Sequence, residues 1–140
     1  MKKIMKKLLY LCLLLTGCSQ ISLYKKALVL EKTKQYAKAV ETYNLAIKNE
    51  EKNNSLAFTG RGHCKYHLND FKGCINDMSQ AIKLNTKNAR AYDLKGLCEY
   101  KMKDYKSAIQ DFSESLKLEP NNKLAQKDLN DCKKLLEKSN

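Results

Sequence analysis

Six cysteines and two histidines are the residues of this 140-residue chain best suited to chemistry, through metal ligation, disulfide formation or nucleophilic attack. His63 and His67 stand four apart, so on a helix they share one face and flank Cys64. Two imidazoles so placed can share a metal ion. A third and fourth ligand must then come from elsewhere, and only Asp93 is an obvious candidate. No Cys-x2-Cys pair exists among Cys12, Cys18, Cys64, Cys74, Cys98 and Cys132, which fits a structural zinc site poorly. No metal and no other cofactor are therefore expected. Catalysis finds no foothold either: there is no Gly-rich phosphate loop and no Ser or Cys nucleophile beside an evident base. Paired acids such as Asp128 and Asp131 read as helix-surface charges, and no enzyme is expected.

Whether the remaining cysteines meet an oxidising compartment depends on where the chain is delivered. Lys2, Lys3, Lys6 and Lys7 precede the apolar run Leu8 to Leu15, and small residues follow. A basic stretch, a short apolar stretch and small residues make a secretory signal. Eight apolar residues fall well short of the about 20 that span a bilayer as a helix. Leu15-Thr16-Gly17-Cys18 resembles the lipobox of bacterial lipoproteins. The resemblance implies that 1–17 is removed, that Cys18 is lipidated, and that 18–22 is a short tether. The alternative is an ordinary cleaved signal with Cys18 incidental. Net charge +12, from 27 Lys+Arg against 15 acids, first suggests nucleic acid as a partner. Export argues against that. Cleavage also takes four lysines and no acids, leaving 23 against 15 and a net +8.

The elements that must position these residues are written in a repeat. A shift of 34 superimposes Phe58 on Tyr92, Gly62 on Gly96, Cys64 on Cys98, Tyr66 on Tyr100, Phe71 on Tyr105 and Met78 on Phe112. A shift of 35 brings in an earlier copy, with Tyr36 on Phe71, Ala39 on Cys74 and Tyr43 on Met78. The extra residue falls in the polar Lys52-Asn53-Asn54 stretch, where an insertion costs little. Apolar residues recur at helical spacing on both sides of Lys34-Gln35, Asn69-Asp70 and Lys103-Asp104. Each copy thus reads as two helices and a turn.

A 34-residue helix–turn–helix period resembles the tetratricopeptide repeat (TPR) family. The resemblance implies an all-α superhelical solenoid of three repeats, 20–54, 55–88 and 89–122, with a capping helix at 123–138. Leu124, Leu129, Cys132, Leu135 and Leu136 give that last helix an apolar stripe. Family members bind extended peptides or helices on the concave face lined by the first helix of each repeat. Here those places hold Tyr24, Leu28, Thr59, His63, Tyr66, His67, Arg90, Asp93, Leu97, Tyr100 and Lys101, where rings and cations interleave. Such a composition suits the backbone and acidic side chains of a peptide. The carboxylate clamp of the chaperone-binding subclass is not expected. Its places carry Tyr24, Leu28, Gly60 and Leu94, and only Arg90 is a basic match.

The same resemblance sorts the cysteines. Cys64, Cys98 and Cys132 occupy one small-residue place on successive first helices, too far apart to bridge one another. Cys74 lies on a second helix that packs against first helices on both sides, which brings it within reach of Cys64 or Cys98. The implied protein is a lipid-anchored bacterial envelope lipoprotein, at the periplasmic face of the outer membrane if the cell is Gram-negative. It would bind a protein or peptide partner, acidic or extended, through its groove. The alternatives are a secreted or surface-exposed effector that binds host or acidic partners, and a basic domain held on anionic lipid.

Overall fold

The computed structural model describes residues 22–49 and 54–139. Among them are seven helices and no strand: α1 Leu23–Lys32, α2 Tyr36–Asn49, α3 Ser55–His67, α4 Phe71–Leu84, α5 Ala89–Lys101, α6 Tyr105–Leu118 and α7 Lys123–Ser139. The basic leader, the apolar run, Cys12 and Cys18 lie outside the described residues, as do Lys52 and Asn53. No described helix is long and apolar enough to cross a membrane.

Short polar side chains start the helices. Ser22, Asn54, Asp70, Asn88 and Asp104 each accept a hydrogen bond from the backbone N–H three residues on. Asn122 does the same for Ala125 N–H at the start of α7. Each such bond satisfies an orphan donor of the first turn and stabilises the helix by about 1 kcal/mol. The turn inside each repeat has its own device. Lys34, Asn69 and Lys103 adopt left-handed φ values of 59°, 61° and 65°. The N–H after each reaches back five residues, as Gln35 to Leu30, Asp70 to Lys65 and Asp104 to Glu99. This is a Schellman ending, which reverses the chain in two residues. Asn tolerates the left-handed region, whereas Lys holds it at a cost of about 1 kcal/mol. Lys103→Gly is therefore expected to raise stability by about 0.5–1 kcal/mol, read as a higher urea midpoint at unchanged slope.

Three buried clusters hold the stack together, two where repeats meet and one where the last repeat meets α7. Tyr43 of α2 packs with Ala57 and Cys64 of α3. Cys74, Met78 and Ala81 of α4 pack with Ala91, Leu94 and Cys98 of α5. Ala108 and Phe112 of α6 pack with Ala125, Leu129 and Cys132 of α7. Every cluster sets one large side chain of a second helix against mostly small residues of the helix that follows. Gly96 shows why small is required within a repeat: a Cβ there would stand 3.0 to 3.1 Å from the Phe112 ring. A Cβ on Gly62 would collide with the buried end of Met78 in the same way. Helix α7 covers the third cluster with Ala125, Leu129 and Cys132. Leu124 does not join that stripe as the sequence suggested. It is 73% exposed, and its neighbour Ala125 takes the buried place.

The helices form two layers. α1 touches α3, α3 touches α5 and α5 touches α7, whereas among the described residues α2, α4 and α6 make no such contacts with one another. A stack whose odd helices meet and whose even helices stand apart curves with the odd helices inside. The concave side therefore belongs to α1, α3, α5 and α7, an all-α superhelix with its groove on the first helices.

Candidate functional site

Glu31, near the end of α1, organises the inner face. Its Oε2 accepts a hydrogen bond of 2.6 Å from Tyr43 O–H, and its Oε1 lies 2.9 Å from His63 Nδ1 on α3. His63 in turn sets its Nε2 at 3.3 Å from His67 Nε2. The Tyr36 ring stacks on His67, 4.4 Å between centroids and 7° between planes, and Tyr66 meets His67 edge-on at 5.6 Å. Burial alone would raise the Glu31 carboxyl. The hydrogen bonds from His63 and Tyr43 outweigh it and hold the group below the usual carboxylate range. Burial pushes the Tyr43 phenol far up, and its bond to Glu31 adds to the shift, so it stays a donor. Burial lowers His67, and repulsion adds to this whenever His63 is protonated.

The other residues assigned to the groove are placed in different ways. Tyr66, His67 and Lys101 come together, lining with Asn69 and Phe71 a shallow depression of about 280 Å³ between α3 and α5. Arg90 is exposed at the start of α5 and close enough to stabilise the Glu31 charge. Tyr24, Leu28, Leu97 and Tyr100 are only half-exposed. Tyr24 leans on Tyr43 at 6.1 Å and Tyr100 on Tyr105 at 5.9 Å, while Leu97 packs against both the middle and the last cluster. Thr59 offers the groove no surface, being 5% exposed. Its Oγ1 donates to Ser55 O at 2.8 Å and accepts from Asn88 Nδ2 at 3.0 Å, which ties α3 to the N-cap of α5. Asp93 is half-buried, and its Oδ1 has no hydrogen-bond partner. Burial raises that carboxyl, and Asp128 and Glu119 raise it further. Glu31 was not among the sequence candidates. Its signal was that α1 carries no other acid.

Comparison with known proteins agrees with this geometry. A tetratricopeptide repeat family model matches residues 89–122, and a second tetratricopeptide repeat model matches residues 21–53. The Arabidopsis OM64 TPR domain superposes with a TM-score of 0.77 at 31% identity, over 80% of this chain and 92% of that one. The chain belongs to the tetratricopeptide repeat family. Two further TPR structures were solved with peptides. The first TPR of Spaghetti (RPAP3), bound to HSP90 peptide SRMEEVD, has a TM-score of 0.78 at 25% identity over 81% of this chain and 90% of that one. The second TPR domain of human RPAP3, in complex with HSP70 peptide SGPTIEEVD, has 0.76 at 27% over 81% and 93%. A TPR repeat-containing protein of Methanocaldococcus jannaschii is 37% identical over 70 residues, half of this chain. The match spans 12% of that protein's length. TPR domains are protein–protein interaction modules, and these peptide complexes are of that kind.

Two of the TPR units carry a charged triad between their paired helices. In the second unit Asp77, 2% exposed, accepts both Nε (2.9 Å) and the terminal nitrogen (2.5 Å) of Arg61, with Lys65 Nζ at 3.0 Å. Two cations there share one acid. One unit later the same places hold Lys95, Glu99 and Asp111, so one cation serves two acids. Lys95 Nζ lies 2.6 Å from Asp111 and 3.3 Å from Glu99, and Glu99 Oε2 is left buried without a partner. Burial and the adjacent Asp111 push Glu99 up to about 8, against the pull of Lys95.

Because the folded protein holds this proton more tightly than the unfolded chain, Glu99 weakens the fold as pH rises from about 4.5 to about 8. Glu99→Gln is expected to remove at least about 1 kcal/mol of that decline, since a tenfold change in proton affinity is worth about 1.4 kcal/mol. His67, lowered by burial, acts with the opposite sign in both proteins and cancels in the difference. Urea unfolding at pH 5, 6.5 and 8 checks this. Parallel curves for the two proteins would remove Glu99 as the cause.

Sulfur occupies the remaining chemistry-bearing places. Cys74 of α4 and Cys98 of α5 form a disulfide with Cα atoms 6.8 Å apart, joining the second TPR unit to the third. Cys64 and Cys132 are free and buried. Burial pushes the Cys64 thiol up to about 12 and the Cys132 thiol up to about 11, so neither forms a nucleophilic thiolate near neutral pH. Among the described residues no group of three or more His, Cys, Asp or Glu side chains is placed to hold a metal ion.

Proposed function

We propose that this TPR domain is the binding part of an exported bacterial envelope lipoprotein, lipidated at Cys18, which holds an extended acidic segment of a partner protein against α1, α3 and α5. The observation that carries the reading is the exposed composition of the inner layer. Tyr66, His67 and Lys101 line one depression, with Arg90 exposed nearby on the same helix as Lys101. Rings grip the peptide backbone and cations meet its acids. The peptide complexes of the RPAP3 domains support peptide capture as the mode. The chemistry of capture must differ in detail, because Gly60 and Leu94, at two of the clamp places, are buried. The lipobox resemblance of Leu15 to Cys18 supports the anchor, and a mature charge of +8 supports an acidic partner or lipid surface.

Two arms test the two halves separately. Cys18→Ser is expected to release the protein from the membrane fraction, and unchanged fractionation would overturn the anchor. A photo-crosslinking residue at Lys101 is expected to capture a protein in living cells, while one at Lys106 on outer helix α6 is not. Equal capture at both places, or none at Lys101, would overturn the groove.

A further inference from the structure

The chain has only two histidines, and the structure brings their Nε2 atoms to 3.3 Å. They interrupt the repeat. The equivalent places hold Leu28 and Lys32 on α1, and Leu97 and Lys101 on α5, so the scaffold itself does not ask for imidazole there. One carboxylate serves the pair from behind. Glu31 Oε1 takes the Nδ1 hydrogen of His63, and Tyr43 O–H holds the other carboxylate oxygen. That fixes the His63 tautomer with its Nε2 lone pair turned toward His67. The Tyr36 ring, stacked on His67, fixes the second imidazole plane.

From this geometry we propose that His63 and His67 form a two-ligand site for a borderline divalent transition-metal ion of the zinc class. A metal ion about 2.05 Å from two nitrogens that are 3.3 Å apart subtends about 107°, close to the tetrahedral angle. Glu31 is then the outer carboxylate that orients a metal-bound histidine, an arrangement found repeatedly around zinc. His67 is exposed, so the other two coordination positions open into the groove and take water. The site is accordingly weaker than a closed four-ligand one. Lys34 and Arg90 lie near enough to be felt at His67 and Glu31, and they weaken it further. The thiols of Cys64 and Cys132 are fully buried and so are not available as ligands to an ion held in the groove.

The test uses the full chain in detergent and zinc chloride alone, followed by calorimetry without reductant. One equivalent is expected to bind. His67→Ala, at an exposed position, is expected to lower affinity at least about 100-fold with its helical circular dichroism unchanged. Glu31→Gln is expected to lower it about 10-fold, the size of effect that outer-shell partners have. Nitrogen-detected NMR of the imidazole rings is expected to show both Nε2 resonances moving on addition of zinc and both Nδ1 resonances nearly still. No zinc uptake, uptake unchanged in His67→Ala, or a shift confined to Nδ1 would each overturn the site.

Discussion

Phe112→Ala is expected to destabilise the protein by about 3–5 kcal/mol, the usual cost of emptying a fully enclosed aromatic site. Phe112 is 0% exposed and stands where three helices meet. Its ring edge lies against Gly96 of α5, its own helix carries Ala108, and α7 closes over it with Ala125, Leu129 and Cys132. Of those buried neighbours only Leu129 is large, so most of the vacated space stays empty. The loss should also be local in the array, because each repeat is held chiefly by its neighbours. Amides of α5, α6 and α7 are expected to lose hydrogen-exchange protection before those of α2 and α3. Gly96→Ala has a different effect in each background. In the native protein its methyl meets Phe112 at 3.0 Å, whereas in Phe112→Ala it fills part of the cavity. The double variant should therefore recover about 1 kcal/mol over Phe112→Ala. Urea unfolding reads both results, and a loss below about 1 kcal/mol for Phe112→Ala would contradict the packing described.

Reduction of Cys74–Cys98 is the second large effect, expected to lower stability by about 3 kcal/mol. The bond closes a loop across a separation of 24 residues, and loop-closure entropy for that length gives this size. Cys74→Ala separates the bond from the volume it fills. The equivalent places in the other repeats are Ala39 and Ala108, both fully buried, so alanine fits that place in the scaffold. Oxidised Cys74→Ala and reduced wild type should therefore unfold at nearly the same urea concentration. Reductant should leave the variant unmoved. A wild-type transition indifferent to reductant would show that the bond does not contribute.

Much of this molecule is legible in its sequence because a repeat states each rule three times. The polar breaks at Lys34, Asn69 and Lys103 announce the turns, since two-residue reversals need a left-handed residue and helices cannot run through them. The large side chain opposite a small one recurs as Tyr43, Met78 and Phe112, and all three are fully buried. What periodicity cannot carry is a departure from itself. Thr59 reads as groove-facing until Asn88, the N-cap of α5, claims its hydroxyl. Glu31 reads as one more helix charge until Tyr43 and His63 converge on it from two other helices. Leu124 looks like part of an apolar stripe, but a helix start places Ala125 inward instead. Each miss is a tertiary choice made by a single side chain, with no second copy to reveal it.

The two-layer arrangement has a mechanical consequence. Outer helices that, among the described residues, make no close backbone contact with one another leave the stack free to open and close like a fan, with bending concentrated where one inner helix rolls on the next. The joint between α4 and α5 is locked by sulfur, so the second and third units move as one stiff blade. Compliance is left to the joint between α2 and α3, which is spanned by Tyr43 against Gly60 and by Glu31 reaching across to His63. The aperture of the groove is thus set at its N-terminal end, the end closest along the chain to Cys18.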